Sequence, residues 1–257
     1  MKRKDSCRVQ GFFRKIIISA RHEPDGAARA RAVLEDDFHH FRVEIMARDG
    51  HITGTSAEAL RFPYSTCPAA SNALKGLIGK PISATAHEVY RQIDARLQCT
   101  HMLDLAGLSS AMLATGATLK EYDIHVSDRT NDAYMVKLTL DGARRLHWQV
   151  GGDTILSPPP FSGRSLKAGF AGWVIEELDP VMSEAALVAR RCAMISIGRQ
   201  KNLDATRHAA ATGHCYSQQP ERHRDARRIV GSTLDFSHTH SALCATDRAW
   251  MDPANTN

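Results

Sequence analysis

The sequence is short of aromatic side chains, 6% of its 257 residues, and holds no apolar run near the ~20 residues that cross a bilayer. It has no basic block interleaved with aromatics either. A phosphate footprint gathers its Lys and Arg on one face, whereas the net charge of +5 comes from scattered arginines and basic ends. The expectation is a protein of the cytoplasm with neither a nucleic acid nor a membrane as partner. The basic start "MKRKDSCRVQGFFRKIIISA" is no leader on this reading, because Arg14 and Lys15 split its apolar part, and it reads as a strand. Six cysteines lie too far apart for the disulfide framework of a small secreted scaffold, which leaves buried thiols, metal ligands or nucleophiles. Glycine-rich phosphate loops, HExxH, paired CxxC and a Ser-His-Asp order are all missing.

What is present is an apolar content of 43%, enough for a real core. "HHFRVEIMARDGHITGTSAEALRFP" alternates and turns at Asp49-Gly50, a dipeptide suited to a tight hairpin. "CPAASNALKGLIGK" reads as a short helix opened by Pro68, and "AHEVYRQIDARL" and "HMLDLAGLSSAMLATG" as two more. "YDIHVSD", "YMVKLTL" and "RRLHWQV" form a meander with a turn at Asp141-Gly142, and "EAALVARRCAMISIGR" takes helical spacing. Strands grouped apart from helices predict an α+β fold. We expect one domain over 1–237, with a core at about 41–116, the meander at about 121–150 and a helical region at about 165–230. Residues 238–257 show no period and are expected to be disordered.

Strand parity places His39 on the buried face with Phe41, Val43 and Ile45, and sends His40 with Arg42 and Glu44 towards water; Asp37 falls on the His39 side. His39 is then either a satisfied core histidine or a ligand. In "LQCTHMLDLAGL", Thr100 is the expected N-cap, and His101 lies in line with Leu105, Leu108 and Met112, so it points inward. Asp104 adjoins it and Cys99 sits in the preceding turn. Cys67, just before Pro68, stands at a helix start, where amide groups and the helix dipole lower a thiol pKa. Cys67, Cys99 and His101, with Asp104 or His39, make a donor set suited to zinc or iron(II). The alternative is a His101–Asp104 hydrogen bond beside a buried thiol.

"LEDDFHHFRVE", "RFPYSTCPAA", "CTHMLDLAGL", "GHCYSQQPER" and "GSTLDFS" together resemble a bacterial family known only as domain of unknown function 2889. That resemblance implies no chemistry. The hairpin, "CPAASNALKGLIGKPI" and "CTHMLDLAGL" are also similar to the iron-sulfur scaffold fold of the NifU type, Cys67 matching its first cysteine and Cys99 with His101 its later His-Cys pair. The scaffold's middle cysteine has no counterpart.

In "GHCYSQQPER", Gly213 places His214, Cys215 and Tyr216 on a loop, where His214 could act as a base and Arg222 could hold a carboxylate, with Tyr216 beside them. Packing of Cys215 and Tyr216 in a structural loop is the alternative. Two functions follow. One is a metal-dependent enzyme, a lyase or hydrolase, on a small organic substrate; the other is a non-catalytic metal or iron-sulfur carrier. A homo-oligomer is left open.

Overall fold

The computed structural model describes residues 10–253. Its strands are β1 (Gly11–His22), β2 (Ala27–Asp36), β3 (His40–Arg48), β4 (His51–Arg61), β5 (Leu119–Ser127), β6 (Ala133–Leu140), β7 (Ala143–Gly151) and β8 (Thr154–Ser157). The helices are α1 (Val89–Gln92), α2 (Thr100–Thr115), α3 (Phe170–Glu177) and α4 (Pro180–Ile195). The sheet order is β4-β3-β2-β1-β5-β6-β7-β8, with antiparallel pairing wherever the register is resolved, an α+β arrangement. The expected single domain divides into two compact units, and β1 and β5 run through both.

The larger unit holds Lys15–Glu121, Asn202–Leu234 and the chain from Cys244 onward. Here β2, absent from the sequence reading, pairs with β3 from Ala27↔Arg48 to Glu35↔His40, so the stretch 41–116 is not self-contained. Asp49 and Gly50 take the positive φ values, 50° and 77°, that their hairpin needs. On one face of β2 and β3, Ala30, Ala32, Leu34, Phe41, Val43 and Ile45 are buried, and α2 packs on these strands. Gly107 lets α2 come close to the segment before it, for a Cβ there would stand 2.2 Å from the Ala86 carbonyl oxygen.

Three local readings change. "CPAASNALKGL" forms a 3-10 segment, Cys67–Leu77, rather than an α-helix, with Pro68 in its first turn. "AHEVYRQIDARL" breaks into 3-10 turns around the four-residue α1, because the Asp94 carboxylate accepts the Arg96 N–H at 3.0 Å and draws the backbone out of helical form. The N-cap of α2 is Cys99, with Thr100 the first helical residue.

The other face of β2 and β3 is covered by the chain end. Val33, Cys244 and Met251 form a buried cluster flanked by Ile17 and Trp250. Within 238–253, expected to lack fixed structure, there are two short 3-10 turns and buried Leu243, Cys244, Asp247 and Met251. Residues 254–257 lie outside the described residues. In the smaller unit, β6 and β7 carry Val136, Leu138, Leu146 and Trp148 into a core shared with the alanines of α4, whose N-terminus is capped by Asp179. Phe13 stacks between His125 and His240 there and packs with Phe236 and Leu243.

Candidate metal centre

The chain reverses between β2 and β3 in a four-residue turn built on one side chain. Asp36 Oδ1 accepts the N–H groups of Phe38 at 2.7 Å and His39 at 2.8 Å, and the Asp36 N–H closes the turn on the His39 carbonyl at 2.9 Å. Arg61 seals it by donating to the carbonyls of Asp36, Asp37 and His39. This reversal, not an unbroken strand, decides which acid faces His39: it is Asp36, whose Oδ1 and Oδ2 stand 3.1 and 3.3 Å from His39 Nδ1. A carboxylate on Nδ1 fixes the tautomer and leaves the Nε2 lone pair for another partner.

A second imidazole packs against the His39 ring. His101, in the first turn of α2, brings its ring centroid 4.0 Å from that of His39, with Phe41 alongside both rings. Asp36, His39 and His101 are all buried, and one donor atom from each lies within 4.8 Å of the others.

A second acid-histidine group lies on the opposite face. His40 Nε2 is 2.9 Å from Asp247 Oδ2, and its Nδ1 is 3.5 Å from Glu35 Oε1. Both ring nitrogens thus face carboxylates. Arg42 Nε takes the other Asp247 oxygen at 2.6 Å, and Glu35 Oε2 accepts the Cys244 N–H at 2.7 Å. Burial raises the Asp247 carboxyl, but the bonds and charges of His40 and Arg42 outweigh it and hold the group below the ordinary carboxylate range. His40 is thus not directed to water; it is buried between two acids.

The structure divides the donor set read from the sequence. His39 and His101 come together; Cys67 instead meets the Ser217 hydroxyl, and among the described residues no thiol joins the donor sets within 4.8 Å. Asp104 instead accepts the Tyr90 hydroxyl. The Cys67 thiol, expected to be lowered, is pushed up to about 11, because burial outweighs the Ser217 and Tyr64 hydrogen bonds that favour the thiolate. Burial pushes Cys99 up as well. Of the loop residues, His214 is exposed, while the Arg222 guanidinium lies 4.3 Å over the Tyr216 ring.

Asp36 and Asp247 escaped the sequence reading. Asp36 had a signal, an acid three residues before a histidine in "DDFHH", which suits a side-chain-closed turn; Asp247 had none. Residues 20–114 match a family described as a protein of unknown function, DUF2889, a stretch holding Asp36, His39, Cys67, Cys99 and His101 but not Cys215 or Asp247. No curated protein matches the chain.

Proposed function

We propose that the protein is a metal-dependent enzyme that holds one divalent transition-metal ion, zinc or iron(II), between His39 and His101 with Asp36 at its side. The approach of the two buried imidazoles, 4.0 Å between centroids with a carboxylate behind one of them, carries this reading. Two imidazoles suit both ions and leave coordination positions for water or a substrate oxygen, as catalytic sites do, while Asp36 orients one of them. An ion there would lower the pKa of bound water and polarise a carbonyl, chemistry that serves a hydrolase or lyase on a small organic substrate. His214, exposed on its loop, is the candidate for proton transfer. Burial of all three donors favours a second reading, a non-catalytic metal carrier.

The test is elemental analysis of the purified full-length protein. The proposal expects close to one equivalent of zinc or iron at the histidine pair, lost in His39→Ala and in His101→Ala. Asp36→Asn should weaken affinity by roughly 10–100-fold, as expected for a carboxylate that orients a ligand. Metal content unchanged in both histidine variants would overturn it and leave a hydrogen-bonded pair in the core.

A further inference from the structure

Three of the chain's cysteines converge from segments far apart in sequence. Cys67 opens the 3-10 segment Cys67–Leu77, Cys99 caps α2, and Cys215 precedes the 3-10 turn Tyr216–Gln218. The backbone ties these starts together: the Tyr216 N–H donates to the Gln98 carbonyl at 2.9 Å, and the Gln98 side-chain amide donates to the Ala73 carbonyl at 3.2 Å. Cys67 Sγ is 3.4 Å from the Ser217 hydroxyl, which also accepts from Thr66 at 2.8 Å. Charge on Cys215 would bear on both Cys67 and Cys99, and on Tyr64 with that of Cys67. Cys67 and Cys99 are buried, whereas Cys215 is half-exposed and gives the cluster a way to solvent.

We propose that Cys67, Cys99 and Cys215 form a site for a thiophilic metal ion, separate from the histidine pair. Three sulfur donors select soft or borderline ions such as Zn²⁺ over Mg²⁺ or Ca²⁺, which take oxygen. Binding replaces three S–H protons: one divalent ion and three thiols give a tris-thiolate of net charge −1 and release three protons. Arg228, whose charge acts on Cys67 and Tyr64, is placed to offset that negative charge. The three sulfurs are not among the donor sets already within 4.8 Å of one another, so closing on one ion draws the half-exposed Cys215 turn inward. That movement makes Cys215 the reporter. The proposal is independent of the histidine reading, since the two sites share no donor.

The test titrates cadmium, a thiophilic probe, into full-length protein stripped by a chelator. The expected result is an ultraviolet thiolate-to-cadmium band that saturates at one equivalent, with three protons released per ion and with protection of Cys215 from alkylation. Zn²⁺ should compete the band away. Cys215→Ser, at the least buried of the three positions, should lose the band with its circular dichroism unchanged, and Cys67→Ser should do the same. Cys192→Ser, in α4, and His39→Ala should keep it. A missing band, or one that survives both Cys215→Ser and Cys67→Ser, would overturn the thiol site. The histidine proposal fails on a different signal, the elemental analysis of its own variants.

Discussion

His39 closes a turn and His40 begins the strand after it, yet their surroundings give them opposite chemistry. His39 meets one carboxylate through Nδ1 and packs against another imidazole; His40 has a carboxylate at each nitrogen and an arginine beside one of those acids. The first group gathers two imidazoles and one carboxylate, and the second sets one imidazole between two carboxylates. A cluster of acids and histidines is therefore read by which atoms face each other, not by its composition.

The chain end builds the His40 side, so ending the chain at Ser237 should have the largest effect. It removes buried Leu243, Cys244 and Met251, each burial contributing about 1.5–3 kcal/mol for a large apolar side chain, together with the acceptor for His40 and Arg42. Thermal melting should fall by many degrees, and an unchanged midpoint would show that the end is dispensable. Asp247→Ala comes next. It strands the Arg42 guanidinium and a buried nitrogen of His40, a loss of roughly 3–5 kcal/mol in urea unfolding. Adding His40→Ala to it should cost less than the two single losses summed, because the pair is coupled.

His39→Ala sharpens the contrast from the other side. It should release metal and lower stability by roughly 1–3 kcal/mol, the cost of an unsatisfied buried partner, while His40→Ala should lower stability and leave the metal in place. Metal loss from His40→Ala alone would merge the two groups into one site.

Acid separates them by sign. The depressed Asp247 carboxyl contributes stability in full above its unfolded value of about 3.8, and that contribution drains away as pH falls through the lower folded value. The wild type should lose more stability than Asp247→Asn on going below about pH 4. The smallest effect lies at the alkaline end. The neutral Cys67 thiol, raised from 9.0 to about 11, supports the fold below 9.0 and loses that support as pH climbs towards 11. Cys67→Ser should flatten this part of the stability profile.

Much of the local structure was legible. Alternation over "FRVEIMA" put Phe41, Val43 and Ile45 inside, and the two Asp-Gly turns and the Gly116 stop at φ 74° are where their conformational preferences put them. The same parity set His39 and His40 on opposite faces, and they are. What parity could not say is that both faces are covered, because the segment over the His40 face packs through irregular turns and carries no period to detect.

Which side chains share a strand face and where the chain turns can be read locally, because sterics and side-chain alternation act between residues a few positions apart. What each face meets is set by distant segments. Asp247 reaches His40 across 207 positions and Ser217 reaches Cys67 across 150, and such meetings depend on how whole segments bury their surfaces together, which no short stretch of sequence encodes.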